Sequence, residues 1–491
     1  MNTQSKGIAS SDIALQINAD AERLKESAYV GPAHDKIMSD LLQQIGPVNF
    51  REKAGVGDDE DAKLSKAHYL VIIVQVILEL ARVNHWNLCQ ANGAFYIFNG
   101  AFYKEISPKD LRRFLQDAAV KMGADRFKCE HYEFAEQIFR QFEVTAHLPV
   151  PLSNREIIKI NLQNGTYTID RHGRGQLKKP DPADFLTHQL PFAFDPNAQC
   201  PLWQKHLDKV LPDASMQQIL AEYIGYVFTS TKRMKLEKTL VLLGEGGNGK
   251  SVVYDVITGL LGSENISSHP LDELTKKETY RAEIADKLLN YCSEIASDIN
   301  VSVFKAMTSG EALNARRLYG KPFQIEDYAK LLTNANRLPI VTEHSHAWFR
   351  RFLILPFEVQ IKAHEKDIHL ARKIITTELA GVFNWALAGL ARLLAQNDFT
   401  DSEQVRQQNE RYRNESDTVG LFLAEYRYEP YSETYEALQQ LYNQYTSFCR
   451  EDGHRNFVTK LNFRRRLETR GFLVGERNIG RVVFTRIRAL D

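Results

Sequence analysis

"LVLLGEGGNGKS", residues 240–251, decides how this chain is read. Four residues, three of them leucine, run straight into a turn holding Gly244, Gly246, Gly247 and Gly249, and the turn ends on Lys250 and Ser251. The pattern is G-x-x-x-x-G-K-[ST], with strand-like "TLVLL" before it and amphipathic "SVVYDVITGLLG" after it. Glycines let successive backbone N–H groups converge on one anion, and the start of the following helix adds the positive end of its dipole. Lys250 then supplies a cation for the β and γ phosphates, and the Ser251 hydroxyl an oxygen for Mg2+. Gly244, Glu245, Gly246, Gly247, Asn248, Gly249, Lys250, Ser251 and Val252 are therefore expected to hold ATP with Mg2+.

The segments that follow narrow the chemistry. "KLLNYCSEI" (287–295) reads as a buried strand ending near Glu294, where a carboxylate can polarise a water and support the magnesium ion; Asp298 is a weaker second acid. "YAKLLTNANRLP" (328–339) reads as a third strand that sets Asn336 beside the γ phosphate. "HAWFRRFLILPF" (346–357) puts Arg350 and Arg351 ahead of a further strand, near its rim, where one of them can reach a neighbouring subunit's phosphates as an arginine finger. Between the second and third strands, Lys305, Arg316, Arg317 and Lys321 gather around a turn at Tyr319 and Gly320. Such cations hold phosphate backbones with little regard to sequence, and Tyr319 offers a ring for base stacking. His344 and His346 read as an ordinary loop, not as a metal pair.

At 491 residues the chain is too long for one core. Lys plus Arg equals Asp plus Glu at 62 each, so local charge must carry any argument for a polyanionic partner. The five cysteines are scattered without a CxxC pair, and the start lacks an apolar signal core, which fits a reducing, cytoplasmic setting. "YLVIIVQVILELA" (69–81) is short and broken by Gln75 and Glu79, so it reads as a buried helix with no role in a membrane. Hairpins are expected at Asn99 and Gly100, at Asn164 and Gly165, and around Gly173; helices over 216–228 and 373–396; a polar boundary at 401–417; helices over 432–450 and 459–470; and a last hairpin near Asn478. The domains are expected at 31–230, 231–400 and 401–491, after a flexible 1–30, with 57–63 a solvated acidic loop. From Arg450 to Asp491 there are eleven Lys or Arg against five Asp or Glu, and "NFRRRLETRGF" puts Arg464, Arg465 and Arg466 on a helix suited to a DNA groove.

Taken in order, "GEGGNGKS", "LLNYCSEI", "FKAMTSGE…RRLYGKPF", "LLTNANRLP" and "FRRFLILPF" resemble the superfamily 3 helicases, most closely the helicase half of phage and plasmid primase-helicases. "FLTHQLPFAFDPNAQCPLWQKHL" and "AEYIGYVF" look like the poxvirus-type helicase N-terminal domain, and the terminal segment is similar to a winged-helix end. The resemblance implies an α/β chain: an AAA+ P-loop ATPase core, an α+β N-terminal domain and a C-terminal winged-helix module. It implies a hexameric ring translocating on single-stranded DNA during replication of a phage, plasmid or other mobile element, with Arg350 or Arg351 as the finger and Arg316, Arg317 and Lys321 facing DNA. Many members end the second strand on two adjacent acids, whereas Ser293 precedes Glu294 here. No zinc pattern or paired catalytic aspartates mark a primase domain, so a separate primase is the expected partner. An ATP-switched DNA-binding initiator or loader, or a defence-type nucleoside triphosphatase, uses the same pocket and stays open.

Overall fold

A computed structural model of the chain describes residues 31–56, 63–91, 93–148, 157–170, 172–230, 233–295, 298–318, 320–339, 343–452 and 457–489. Residues 1–30 and the acidic stretch 57–62 lie outside them. The contacts divide the chain into two units: one runs to Cys200 and adds 259–262 and 378–384, and the other takes 201–258, 263–377 and 385–491.

In the first unit, α1 (His34–Gln44), α2 (Lys66–Val83), α3 (Pro108–Lys121) and α4 (Tyr132–Thr145) surround a core that includes Ile73, Ile77, Leu111, Leu115, Ile138 and Phe142. The greasy run at 69–81 is the body of α2, with Ile72, Ile73, Val74, Ile77 and Ala81 buried. Ser107 starts α3 by accepting the Asp110 N–H at 3.1 Å, with Pro108 in the first turn. Between α2 and α3 run β1 (Asn87–Ala91), β2 (Ala94–Phe98) and β3 (Tyr103–Ile106), paired antiparallel in that order. The β2–β3 turn forms where expected: Asn99 Oδ1 accepts from the N–H groups of Ala101 and Phe102, both at 3.0 Å, and Gly100 takes φ +98°. β4 (Ile158–Leu162), β5 (Gly165–Ile169) and β6 (Gly175–Lys178) form a second antiparallel sheet.

The second unit opens with α5 (Pro201–Val210) and α6 (Ala214–Val227). The expected boundary at 230 is corrected to Cys200, because α6 is buried along most of its length among residues of the second unit. Tyr223 donates to the Leu331 carbonyl, and Glu222, fully buried, is paired with Arg392 at 2.6 Å and accepts the Thr400 N–H at 2.8 Å. A Cβ on Gly225 would meet Leu390 at 2.6 Å and one on Gly389 would meet the Ala221 backbone at 2.4 Å, so these two glycines allow the helices to approach closely.

Next come β7 (Thr239–Leu243), α7 (Lys250–Leu261), β8 (Ile266–Ser267), β9 (Leu289–Cys292), α8 (Val301–Ser309), the hairpin β10 (Leu313–Arg316) and β11 (Pro322–Ile325), then β12 (Lys330–Ala335) and β13 (Phe352–Pro356). The five-stranded sheet runs β13-β7-β12-β9-β8, and every pairing in it is parallel. Its strands read as nearly unbroken apolar runs because both faces are covered. Core residues include Val241, Phe304, Trp348, Phe352 and Ile354.

The helix expected over 373–396 is two helices, α9 (Leu370–Thr377) and α10 (Leu379–Gln396). Among the described residues α10 is the one helix long and apolar enough to cross a membrane, yet its Val382, Phe383, Ala386, Leu390 and Leu393 are buried in protein. The polar stretch 401–417, expected as a boundary formed by a solvated helix or linker, is helical. It is α11 (Glu403–Glu415), tied into the second unit by Tyr412, which packs on Phe349 and Phe352, and by Asn409, which donates to the Phe352 carbonyl at 3.0 Å.

The chain ends as α12 (Thr418–Glu425), β14 (Tyr428–Ala437), α13 (Leu438–Glu451), α14 (Lys460–Thr469), β15 (Val474–Arg477) and β16 (Gly480–Ile487). The antiparallel sheet order is β14-β16-β15, over a core that includes Phe422, Leu441, Tyr445, Phe463 and Val483. The helix expected from 432 begins at Leu438, because 428–437 is taken into the sheet by β16.

Candidate nucleotide site

Parallel pairing sends the carboxyl ends of several strands to one edge of the sheet, where ligands of open α/β sheets sit. Leu243 at the end of β7 lies opposite Ala335 at the end of β12, and Cys292 at the end of β9 lies opposite Thr333. The glycine turn, Asn336 (one residue past β12) and Glu294 (two past β9) therefore leave the sheet on the same side, and Asn336 and Glu294 are exposed there. The structure brings these three predicted elements together. Asp298 instead pairs with Lys276 at 2.7 Å.

Within the turn, Gly246, Gly247 and Gly249 take φ +103°, +66° and +85°, a region in which side-chain-bearing residues are strained. A Cβ on Gly244 would meet Asn248 Nδ2 at 2.1 Å and the Phe357 carbonyl at 2.6 Å, and one on Gly249 would meet Val210 at 2.6 Å. Asn248 is buried and donates to the Phe357 carbonyl at 2.8 Å, which pins the floor of the turn to the residue after β13. Lys250, only 4 % exposed, donates to the Gly244 carbonyl and, at 3.0 Å, to Asn248 Oδ1. Among the described residues no carboxylate pairs with it, and burial holds its ammonium below the usual lysine range. Ser251 is exposed at the start of α7, and Glu245 and Val252 lie beside the turn at the surface and half-buried respectively. A backbone cradle that a Cβ would close, with a buried cation lacking an anion, fits a phosphate chain.

Residues distant in sequence support the turn. His206 of α5 is buried and lies with Nε2 3.3 Å from the Gly249 carbonyl, and the Gly247 carbonyl accepts the Ile361 N–H at 3.0 Å. Sequence reading missed His206, Phe357 and Ile361. No motif marks them; the one available signal is that the segment after the last parallel strand must leave at the same edge as the turn.

Arg350 and Arg351 precede β13 and so lie at the opposite, amino edge of the sheet: the Thr239 N–H bonds the Arg351 carbonyl at 2.8 Å. A five-residue strand at about 3.3 Å per residue separates that edge from the glycine turn by roughly 17 Å. Arg351 is 5 % exposed and turned inward, bonding Thr308 Oγ1 at 2.8 Å and Ser309 Oγ at 3.0 Å and pairing with Glu237 at 3.3 Å. As a projecting finger Arg351 is thus corrected to an internal brace. Arg350 also pairs with Glu237, but its side chain is 46 % exposed. Glu237 itself was not singled out by the sequence; it holds φ +57° just ahead of β7.

The basic residues divide in the same way. Lys305 faces inward to Glu343 Oε1 at 3.1 Å and Ser345 Oγ at 3.2 Å, so it is corrected from a DNA-facing cation to a paired one. Arg316, Arg317 and Lys321 are exposed on the β10–β11 hairpin, where Arg316 Nε donates to the Gly320 carbonyl at 3.0 Å and Arg317 lies over Phe323. Tyr319 lies outside the described residues. Leu318, not singled out from sequence, is 73 % exposed between them. On α14, Arg466 is corrected likewise: it is directed at Asp417 at 3.6 Å, beside Arg470, which pairs with the same carboxylate. Arg464 faces Glu468 at 3.5 Å, and Arg465 is exposed. His344 Nε2 donates to the Arg413 carbonyl at 2.8 Å in a loop, and among the described residues no cluster of His, Cys, Asp and Glu has metal-site geometry.

Comparisons with known proteins give partial matches. Residues 74–212 match the family described as "D5 N terminal like", and residues 242–351, from the glycine turn through Arg351, match a family of unknown function. "Putative helicase 184R" of Invertebrate iridescent virus 6 is 24% identical over 242 residues, an alignment that takes in 44% of this chain and 24% of the viral protein. The chain thus spans about a quarter of the length of that curated relative. Among solved structures, the A form of the apo NrS-1 C-terminal region is 12% identical, covers 86% of this chain and 99% of its own, and superposes with a TM-score of 0.46. The apo NrS-1 region 305–718 is 14% identical, with the same coverages and TM-score. The chain is similar, over part of its length, to one viral protein named as a putative helicase.

Proposed function

We propose that this chain is an ATP-driven DNA helicase of the superfamily 3 type, with an AAA+ core that works as a homo-oligomeric ring, most simply a hexamer, in replication of a mobile element. The observation that carries the reading is the glycine cradle with its unpaired buried Lys250, placed on the same sheet edge as Glu294 and Asn336. The D5-like segment and the helicase-named viral relative support it.

In this reading the backbone N–H groups of residues 246–251 bind the phosphate oxygens, and Lys250 exchanges its neutral acceptors for the β and γ phosphates. Mg2+, held through Ser251 and Glu294, would neutralise charge on the transferred phosphoryl group. Glu294 orients the attacking water, and Asn336 fixes its position from the neighbouring strand. Arg350, a strand's length from its own turn, acts on the nucleotide of an adjacent subunit, which makes hydrolysis depend on assembly. Arg316, Arg317 and Lys321 grip the strand's phosphates from the exposed hairpin. The order α12-β14-α13-α14-β15-β16 supports a winged-helix module at the end of the chain.

The test is Lys250→Ala: ATP hydrolysis and unwinding of a forked duplex are both lost while the thermal transition stays in place. A variant that unwinds at the normal rate refutes the reading. A second reading, an ATP-switched initiator or loader, is favoured by the basic excess after Arg450. It predicts ATP-dependent binding to duplex DNA with no strand displacement by the native protein.

A further inference from the structure

Resting on the assembled-ring reading above, we propose that Glu237 is a positioning residue for hydrolysis: its carboxylate presents the Arg350 guanidinium to the nucleotide of the adjacent subunit. Glu237 Oε2 accepts from Arg350 and lies 3.3 Å from Arg351 Nη2, Oε1 accepts from Ser309 Oγ at 3.1 Å, and Lys235 Nζ lies 3.9 Å away. The Glu237 side chain is 16 % exposed and that of Arg350 46 %, so one end of the pair is fixed in protein while the other stands at the surface. Three cations share the one carboxylate, which leaves Arg350 positive charge to offer a phosphate.

The backbone grips the same place. Glu237 holds φ +57°, a strained conformation for a residue with a side chain, and such strain persists only where the surroundings impose it. Beside it the Lys238 ammonium donates to the Arg350 carbonyl at 2.6 Å, and the Thr239 N–H bonds the Arg351 carbonyl at 2.8 Å. Three consecutive residues therefore hold Arg350 and Arg351, and the third begins β7, whose other end runs into the glycine turn. Each subunit's arginine is tied in this way to the strand that carries its own nucleotide site.

Neutralising Arg351 does not by itself account for the arrangement. Arg351 is already met by Thr308, Ser309 and the Ala347 carbonyl, yet the same oxygen of Glu237 also holds Arg350. An arginine free on a surface samples many rotamers and loses that freedom on engaging a phosphate, whereas one already held loses little. Its guanidinium has five N–H donors in a fixed fork, so a bond to one carboxylate oxygen leaves others for the nucleotide.

The experiment measures steady-state ATP hydrolysis by the full chain, with the oligomeric state followed by sedimentation. Glu237→Gln, close in shape and still able to accept from Ser309, should lower kcat about tenfold with KM for ATP within about twofold of native, because the arginine acts in the transition state. Glu237→Gln combined with Arg350→Ala should be no slower than Arg350→Ala alone. Mixed with Lys250→Ala before assembly, the Glu237→Gln chain should exceed the summed rates of the two preparations, since Lys250→Ala subunits lend it an intact Arg350. A carboxylate that only stabilised its own subunit would give no such recovery. Should Glu237→Gln fail to fold, Glu237→Asp keeps the charge beside Arg351 but shortens its reach to Arg350, and the same fall and recovery are expected of it. Native kcat in a folded Glu237 variant, an additive loss in the double variant, or a mixture no faster than its parts would each overturn the proposal. Full activity of Arg350→Ala refutes the arginine acting between subunits, and this proposal with it. An inactive Arg350→Ala beside a normal Glu237→Gln leaves that reading standing and removes only the role given to Glu237.

Discussion

Lys250 and Arg351 are both cations nearly withdrawn from water, 4 % and 5 % exposed, at opposite edges of one parallel sheet. Among the described residues Lys250 has only neutral acceptors, the Gly244 carbonyl and Asn248 Oδ1. Arg351 has a carboxylate, Glu237, and two hydroxyls. A buried charge costs much unless it is paired, so the two sites store opposite things. Around Arg351 the charge is balanced inside the protein and the arrangement serves stability. Around Lys250, among the described residues, it is unbalanced, the state that the proposed nucleotide site calls for.

The comparison breaks most sharply at Lys250. Lys250→Ala should reduce the ATP hydrolysis rate by about a hundredfold or more, with little loss of stability, because the removed ammonium had no ionic partner; a coupled phosphate-release assay and a thermal melt check both halves. The reverse pattern is expected at the other edge. Arg351→Ala leaves Glu237 with less compensation and should cost about 3 to 5 kcal/mol in denaturant unfolding, whereas Arg350→Ala, at an exposed pair, should cost less than about 1 kcal/mol. If Arg350 acts across subunits, its alanine variant should still abolish hydrolysis in the assembled protein, and a mixture with Lys250→Ala should recover part of the rate.

A third buried cation sharpens the rule. Lys330, 8 % exposed at the start of β12, lies 4.3 Å from the centroid of Tyr226, and burial pushes its pKa down to about 7. Between pH 7 and the ordinary lysine range near 10.4 the unfolded chain therefore binds more protons than the folded one, so stability should rise with pH across that window. Lys330→Met should flatten that rise and stabilise the protein by about 2 kcal/mol at pH 7 and below, offset in part by the lost ring attraction; urea midpoints at several pH values decide it. A small effect concerns a cap with no buried charge: Ser107→Ala should cost about 1 kcal/mol, confined to the unit that contains α3.

Features fixed by neighbours in sequence were legible. The turn at Asn99 forms because asparagine and glycine settle that bend locally, and the glycine turn forms where its spacing places it. Features settled by distant strands were not. Tyr431, Tyr435, Leu438 and Tyr442 recur at steps of four, three and four, a helical rhythm, yet the chain is extended through Ala437 because β16 supplies hydrogen bonds from about fifty residues away. Three consecutive arginines on α14 look alike in sequence; their fates differ because Phe463 and Leu467 face the core and swing Arg466 toward Asp417.

By itself the sequence determined the glycine turn, since backbone freedom at Gly246, Gly247 and Gly249 and a lysine after them are properties of the residues in order. It also determined that apolar strands would make a sheet covered on both faces. Only the tertiary structure decided which charges are used up inside the protein: strand order and helix packing bring Glu237 to Arg351, Glu343 to Lys305 and Asp417 to Arg466, and leave Lys250 without a carboxylate among the described residues. Pairing of charges acts over a few ångströms, and residues that distance apart in space are here separated by tens of positions along the chain.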